Sequence, residues 1–309
     1  MKNVTKILGA VVLCTALFAS AQRTDALGGN QFWPEDEANI AWFPAQVNNH
    51  AYVQLSGIGT ATEDGVTSTD AGHASILFQK DGTTWGFNYG SADWINMHWG
   101  DGQQGVSFGL QNDDNGTGTA TSNYSIGYGN TFGFGEIGVH YTGGDSYDGE
   151  GTNPDAMLDV HMKSDFGFWL FDDTYVGLKD LTGDMVLCAD FYSHMDAGGA
   201  DVVYGWGVEY DTGDAGGMTQ TATLGVEANM TDWATLRAGY NWSHTLTNDA
   251  DGGATGGSAG TFAWGLGFNW GGLTADMTVN SSLLQDPIGT VTGYGNAVTT
   301  DTITLTYSF

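Results

Sequence analysis

The chain has 309 residues, of which 13% are aromatic and 14% charged, with 49 Gly and only 4 Pro. The aromatic content excludes a disordered chain, and the glycines keep no period of three, which excludes collagen. With 36 acidic against 7 basic residues, the net charge of -29 excludes nucleic acid as a partner, because phosphate would be repelled. Beyond the N-terminus the sequence lacks runs of about 20 apolar residues, which excludes a bundle of membrane-spanning helices. An all-β chain remains.

Residues 1–21 have the features of a secretory signal peptide. Lys2 and Lys6 precede an apolar run, and Ala19-Ser20-Ala21 is the small-x-small pattern that signal peptidase cleaves. The apolar run is about 12 residues long, too short to cross about 30 Å of hydrocarbon, so a membrane anchor is disfavoured. The sequence therefore predicts an exported protein whose mature chain starts at Gln22.

Most of the mature chain alternates large apolar residues with small or polar ones. The alternation holds over residues 262–270, and a period of two predicts a β-strand. Residues 202–210 alternate Val, Tyr and Trp with Val, Gly and Glu, so neither face resembles the charged surface of a soluble barrel. The pattern indicates a transmembrane barrel with lipid on one side and a polar interior on the other. Closure is required because an open edge in lipid leaves backbone groups unpaired.

Turn-rich segments divide the chain into an N-terminal segment, 22–50, and a transmembrane β-barrel, 51–309. We expect the first to lie in the periplasm or the lumen. The barrel is predicted to be antiparallel and up-and-down, with about 16 strands, at residues 51–61, 73–80, 83–90, 94–99, 104–111, 121–128, 135–142, 156–164, 168–177, 185–192, 201–210, 219–228, 234–243, 261–270, 273–281 and 300–309. Long acidic connections nearly alternate with tight turns, as in outer-membrane barrels. The short connection Ser91–Asp93 interrupts this alternation, and merging that hairpin would give 14 strands.

With a signal peptide, alternating strands and a last strand that ends Tyr307-Ser308-Phe309, the chain resembles the Gram-negative outer-membrane β-barrel class, porins included. The resemblance implies that Tyr307 and Phe309 belong to the signal read by the barrel-assembly machinery. It also implies a location in the outer membrane, in contact with lipid and lipopolysaccharide.

A narrower likeness lies before the first strand. Residues 26–29 (Ala-Leu-Gly-Gly), 36–39 (Asp-Glu-Ala-Asn) and 43–45 (Phe-Pro-Ala) resemble the N-terminal box of the long-chain fatty-acid transporter superfamily. Barrels of that family have 14 strands and an N-terminal segment that plugs the lumen. This resemblance implies transport of hydrophobic compounds as an alternative function.

Catalytic and metal-binding motifs are weak. Residues 105–109 match the nucleophile-elbow pattern, but that motif needs a strand-to-helix turn, and these residues lie inside an alternating strand. The acidic turns that begin at Asp113 and Asp249 resemble the start of calcium loops but lack the closing Glu of an EF-hand. We therefore predict no enzyme activity, no cofactor and no defined metal site, with loose binding of divalent cations by the outer loops left open.

Parity within the strands predicts which charged side chains face the lumen. If the apolar partners face lipid, the pore lining contains six carboxylates against two cations: Glu136, Asp159, Lys163, Asp190, Glu209, Glu227, Arg237 and Asp276. This lining predicts a porin-like channel for passive diffusion of small solutes, preferentially cationic or neutral. A non-conducting structural or interaction barrel with cation-binding outer loops remains the alternative from another class. Solute identity, oligomeric state and blockage of the lumen by residues 22–50 are left open.

Overall fold

The computed structural model describes residues 21–28, 32–33, 36–58, 62–63, 66–67, 73–89, 94–113, 121–145, 156–213, 217–248, 257–279 and 300–309. The signal peptide prediction falls on residues 1–21, of which 1–20 lie outside this part. In the described residues there is no helix with the length and apolar character needed to cross a membrane. The described residues contain three helical elements: α1, Ala21–Ala26, and two short 3-10 helices, Glu37–Ala41 and Pro44–Asn49.

Most of the described residues after 51 lie in β-strands. In chain order the strands are β1 (Tyr52–Ile58), β2 (Thr62–Glu63), β3 (Val66–Thr67), β4 (His73–Lys80), β5 (Thr83–Tyr89), β6 (Trp94–Gly100), β7 (Gln104–Asp113), β8 (Thr121–Phe132), β9 (Gly135–Asp145), β10 (Met157–Ser164), β11 (Asp173–Lys179), β12 (Val186–Asp196), β13 (Ala200–Asp211), β14 (Gly217–Thr231), β15 (Ala234–Asn248), β16 (Ser258–Trp270), β17 (Leu273–Val279) and β18 (Thr300–Ser308). Strands β2 and β3 pair only with each other.

The remaining strands form one closed barrel. Among the described residues, β1 and β4 to β18 make sixteen strands, each antiparallel to its neighbours. Closure comes from β1 and β18, where Tyr52 pairs with Ser308 and Val53 with Tyr307. The predicted antiparallel up-and-down barrel of about 16 strands is therefore confirmed. The 14-strand alternative is wrong, because β5 and β6 are separate barrel strands paired through Tyr89 and Ile95.

One strand begins later than the sequence pattern predicts. The predicted strand 168–177 starts instead at Asp173, and Phe168 and Phe171 form an isolated bridge across a turn. Trp169 at this turn has a φ of 56° and a side chain that is 83% exposed. The aromatic residues of this segment lie outside the lumen, where Phe168 packs on Phe191 with ring centroids 5.0 Å apart. These residues are apolar because they lie on the outer surface of the barrel, and not because they belong to a continuous strand.

The two faces of the barrel wall differ as a membrane barrel requires. Outward residues are large and apolar and remain exposed, among them Trp85, Ile126 and Tyr240. Inward residues on the same strands are glycines or polar side chains, and many of the polar ones are buried, including Thr84 and Thr306. An apolar exterior with a polar interior is the arrangement expected where the outer solvent is lipid.

The N-terminal segment occupies the interior. Helix α1 packs against β15 to β18, whereas the 3-10 helix Pro44–Asn49 packs against β5 to β8. A short segment can contact such distant parts of the wall of a closed barrel only from inside. We call the described residues of 22–50 the plug. The buried apolar clusters lie between plug and wall, for example Phe43 with Tyr175 and Tyr192.

Candidate functional site: the plugged lumen

Glycine makes room for the plug on the inner wall. A Cβ atom added at any of five inward glycines would overlap plug atoms: Gly105, Gly129, Gly138, Gly239 and Gly265. At Gly138 the overlap is with the carbonyl oxygen of Trp42, and at Gly239 with the backbone of Leu27. These backbone positions cannot yield as a flexible side chain could. The plug backbone therefore lies directly on strand backbone, which only glycine permits.

A buried network of charges joins the plug to the wall. Arg23 of α1 donates from Nε to Oε2 of Glu227 at 2.8 Å, and its Nη1 lies 3.5 Å from Oδ2 of Asp36. Arg237 donates to the same Glu227 oxygen at 2.6 Å and to Asp276 at 2.5 Å. All five residues are at most 3% exposed. Charges so deeply buried are stable only when paired and hydrogen-bonded, and this network supplies both.

Asp36 also organises the plug itself. Its Oδ1 accepts the backbone N–H of Ala38 at 2.8 Å and so caps the first 3-10 helix, while its Oδ2 accepts the hydroxyl of Thr24 at 3.0 Å. Burial raises the pKa of Asp36 above its ordinary value, although Arg23 and the Ala38 N–H oppose this shift. The Asp36 carboxyl group therefore stabilises the fold of the plug and also takes part in the charge network that attaches the plug to the wall.

Glu37 lies beside Asp36, at the contact of the plug with β1. Its Oε1 accepts Nε2 of Gln54 at 2.5 Å. Burial raises the pKa of Glu37 to about 8, and the negative charge of Asp36 adds to the shift. Glu37 is therefore largely protonated at neutral pH, which avoids a further negative charge in the interior.

Further polar contacts hold the second half of the plug. Gln46 donates to Glu136 of β9, and Nε2 of His140 donates to the carbonyl oxygen of Trp42 at 3.0 Å. At the other end, Asn241 of β15 donates to the carbonyl oxygen of Gly28. The plug is thus attached at both ends to opposite parts of the wall.

Trp42 of the plug takes part in an aromatic stack with the neighbouring strands β10 and β11. The indole stacks on His161 and Tyr175, with ring centroids 5.2 Å and 5.3 Å away, and Nζ of Lys179 lies 5.7 Å from the ring centroid. Nδ1 of His161 lies 2.7 Å from the hydroxyl of Tyr175. Trp42 lines cavities on both of its sides and therefore forms the partition between them.

Cavities remain on either side of this partition. One, of about 310 Å³, is lined by Phe32, Tyr175, Lys179, Asp190 and Glu209, and we call it the acidic cavity. The other, of about 600 Å³, lies against β4 to β11, and a smaller cavity of about 290 Å³ adjoins it near Glu37; we call these two together the polar cavity. The plug therefore narrows the lumen but leaves space along the wall.

Seven of the eight predicted pore-lining residues fall into two groups. Four contact the plug or lie beneath it: Glu136, Glu227, Arg237 and Asp276. Three line the cavities, Asp159 beside the polar cavity and Asp190 and Glu209 in the acidic cavity. Lys163 stands apart, with Nζ 5.8 Å from the ring centroid of Tyr192.

Sequence reasoning missed several residues of this region. Arg23 and Trp42 were not identified, because they lie in a segment without strand periodicity whose position was left open. Lys179 was missed because the predicted strand ended at 177. One signal was present: the chain has only two arginines, Arg23 and Arg237, and each meets a carboxylate in the interior.

The weaker motifs carry no site among the described residues. Residues 105–109 lie inside β7, as the strand interpretation predicts. Within the described part of the chain, no group of three or more His, Cys, Asp or Glu side chains is arranged to hold a metal ion. The side chains of the acidic turns that begin at Asp113 and Asp249 lie outside the described residues. At the C-terminus, Tyr307 and Phe309 are 52% and 64% exposed on the outer face, with ring centroids 6.5 Å apart.

No protein-family model matches the sequence. No curated protein matches it either. Among solved structures, the chain is similar to the CymD monoaromatic hydrocarbon channel, at 10% identity and a TM-score of 0.47, covering 95% of this chain and 98% of that one. It is also similar to CdiB from Acinetobacter baumannii, at 9% identity and a TM-score of 0.42, covering 84% and 59%. An anion-selective porin from Comamonas acidovorans matches at 15% identity and a TM-score of 0.26, covering 79% and 61%.

These similarities concern the fold alone. The predicted resemblance to outer-membrane β-barrels is confirmed at that level by the closed barrel. A specific likeness to the fatty-acid transporter superfamily is not shown.

Proposed function

We propose that the protein is an outer-membrane channel through which small cationic or neutral solutes diffuse passively, along the space that the plug leaves open. The observation that carries the proposal is the presence of the acidic cavity, of about 310 Å³, and the larger part of the polar cavity, of about 600 Å³, beside the plug of a closed barrel. A purely structural barrel has no need of a hollow, hydrogen-bonding interior. Sixteen strands give a lumen wide enough for an aqueous path unless it is filled.

The charges of the cavities support a preference for cations. Asp190 and Glu209 face the acidic cavity together with Lys179, and Asp159 faces the polar cavity. Three carboxylates against one ammonium give an excess of negative charge, and low-dielectric walls focus such a field. The four predicted lining residues that contact or underlie the plug are expected to contribute less, because they are occupied by it.

The proposal involves no catalytic step and no cofactor. It requires insertion by the barrel-assembly machinery through the terminal strand, contact with outer-membrane lipid and lipopolysaccharide, and export by a cleaved signal peptide. Loose binding of divalent cations by the acidic outer loops is compatible with it.

A second function is favoured by the aromatic side chains of the acidic cavity. Phe32, Trp42 and Tyr175 line it together, which suits a flat apolar compound better than a hydrated ion. On this alternative the protein passes small hydrophobic compounds, and the plug excludes water and ions.

Ion conductance of the purified protein in planar bilayers separates these possibilities. The proposed channel gives discrete conductance steps in KCl, whereas a hydrophobic-compound transporter gives uptake of a labelled aromatic compound into proteoliposomes without steps. A barrel with neither property is structural, and the proposal would then be abandoned. Refolding is checked first by heat-modifiable migration, so that an absent current reflects the native barrel.

A further inference from the structure

One part of the inner wall carries a row of uncharged polar side chains. Across β1, β4, β5 and β6, Gln54 pairs with Ser75, Ser75 with Asn88, and Asn88 with Asn96. The row continues through Gly109 on β7 to two hydroxyl side chains on β8 and β9, Ser125 and Thr142. Directly paired residues project to the same face of a sheet, so these amides and hydroxyls form one band around the lumen.

A second row runs parallel to the first, nearer the tight turns. His98 pairs with Ser107, and Gly127 separates Ser107 from His140. A Cβ at Gly127 would overlap the side chains of both Ser107 and His140. The glycine therefore lets these two polar groups lean over the strand between them, which continues the polar surface.

Charge is absent from this part of the wall. Among the described side chains of β1 and β4 to β8, none that faces the lumen belongs to Asp, Glu, Lys or Arg. The charged inward residues named above all lie on β9 to β17. The polar cavity lies against this uncharged wall, with Glu37 of the plug at one end and the oppositely charged Asp159 and Lys179 at the other.

The polar cavity has the size and the polar lining of a ligand site. Its two parts share the lining residues Ala41, Asn88, Asn96, Ser125 and His140, and all of these except Ala41 carry polar side chains. Ligand pockets span about 300 to 1,000 Å³, and the larger part, at about 600 Å³, falls within this range.

We propose that the polar cavity binds an uncharged polyhydroxylated solute of the size of a monosaccharide. On binding, the hydroxyl groups of the solute give up hydrogen bonds to water and form hydrogen bonds to the amides, hydroxyls and imidazoles of the two rows. Alternating donors and acceptors without charge suit such a solute, because each hydroxyl group both donates and accepts. A cation would gain little from this wall and would follow the acidic cavity instead. The inference rests on the proposed channel function for the route by which the solute reaches the site.

The test uses three sugars with one carbon skeleton: glucose, which is neutral, glucosamine, a cation, and gluconate, an anion. Each is titrated against the ion current of the folded protein in planar bilayers, and the concentration that halves the current is recorded. The variant Asn88→Leu with Asn96→Leu removes two amides while keeping the number and branching of the side-chain heavy atoms. The control Thr221→Val removes a hydroxyl from the acidic cavity. Ser125→Ala serves as a milder second variant if the double variant fails to fold.

We expect glucose to reduce the current of the unchanged protein. The Asn88→Leu/Asn96→Leu variant is expected to need about tenfold more glucose to halve its current, because each of the two lost hydrogen bonds contributes about 0.7 kcal/mol. Ser125→Ala is expected to need about threefold more, and Thr221→Val the same concentration as the unchanged protein. Equal glucose effects in all four proteins overturn the site and leave the channel intact.

If no ion current is found, equilibrium dialysis of labelled glucose with the detergent-folded protein decides. Binding that the Asn88 and Asn96 substitutions remove supports the site and counts against the channel. Absence of binding overturns both.

Discussion

Oε2 of Glu227 accepts hydrogen bonds from two arginines at once, from Nε of Arg23 at 2.8 Å and from Nε of Arg237 at 2.6 Å. Arg23 belongs to the plug and Arg237 to the wall, so one carboxylate oxygen joins the two. Removing one partner from such a buried set leaves another charge uncompensated, at a cost of about 3 to 5 kcal/mol. We therefore expect loss of this contact to weaken the attachment of the plug to the barrel wall.

Arg23→Ala is expected to loosen the plug. Asp36 and Glu227 then lose a shared cation in a dry site, and their repulsion favours a displaced α1. We expect a larger single-channel conductance and faster protease cleavage within residues 22–50, with the heat-modifiable migration of the barrel unchanged. Lys80→Ala, which removes an exposed cation outside the lumen, is the matched control. A conductance equal to that of the control would show that the arginine does not restrain the plug.

The glycine contacts offer a test that leaves charge unchanged. Gly138→Ala and Gly239→Ala each place a methyl group where plug backbone now lies, so the clash cannot be relieved by a side-chain rotation and the backbone itself has to shift. We expect either substitution to displace the plug and to increase conductance as Arg23→Ala does. Gly133→Ala is the control, because a Cβ there has nothing within 4 Å. If the two alanine variants conduct like Gly133→Ala, the plug does not limit flow.

Plug docking is expected to weaken as the pH rises from about 5 to about 8. The pKa of Glu37 is about 8 in the docked plug, against an ordinary value of 4.5, so the docked state holds its proton more tightly than the released state. The contribution of Glu37 is therefore complete below pH 4.5, falls as the pH rises above that value, and is fully lost once the pH exceeds about 8. We expect conductance to rise between about pH 5 and about pH 8 and to level off above that. Glu37→Gln keeps the hydrogen-bonding shape without titrating, so its conductance should stay flat over that range. An equal rise in both proteins would assign the effect to other groups.

The strand pattern could be read from the sequence because lipid outside and polar groups inside impose a period of two on every strand. The same parity predicts an inward position for both Glu209 and Glu227. Parity does not predict what each of these two side chains contacts. Glu227 pairs with Arg23, which lies 204 residues away in the sequence, whereas Glu209 lines a cavity. Long-range pairing depends on where an irregular segment lies, and irregular segments carry no periodicity.

The start of β11 shows that composition can predict a strand where the chain turns instead. Aromatic residues at 166, 168, 169 and 171 favour a strand by composition, yet the chain turns there and β11 begins at Asp173. In a membrane barrel, aromatic side chains are stabilised on the outer rim as well as within strands. Composition alone cannot distinguish these two positions.

Deletion of Phe309 is expected to reduce the amount of folded protein in the outer membrane. The residue directly follows β18, the strand that closes the barrel against β1, and its side chain is exposed beside Tyr307. Loss of this aromatic removes an outer-face anchor and part of the proposed assembly signal. The measurement is the heat-modifiable fraction in isolated outer membranes. Phe134→Ala, at an exposed aromatic in a tight turn away from the terminus, is the control. Equal folded fractions in all three proteins would contradict the assembly role.

The last prediction concerns ion selectivity. Asp190→Asn with Glu209→Gln removes two carboxylates from the acidic cavity, and we expect the cation preference to fall, because Lys179 then remains as the fixed charge beside Trp42. Reversal potentials in a KCl gradient measure the preference. Screening limits the field to about 10 Å at 0.1 M salt, so the difference between variant and unchanged protein should be largest at low ionic strength.

Glu227→Gln provides the contrast for this experiment. The Glu227 side chain is buried between two arginines and lines neither the acidic nor the polar cavity. We therefore expect the substitution to loosen the plug and increase the conductance, with a smaller effect on ion selectivity. A shift of reversal potential in Glu227→Gln equal to that of the double variant would mean that ions pass beside the plug network rather than through the acidic cavity. An unchanged protein without cation preference at low salt would refute the electrostatic basis of the proposal, whatever the variants do.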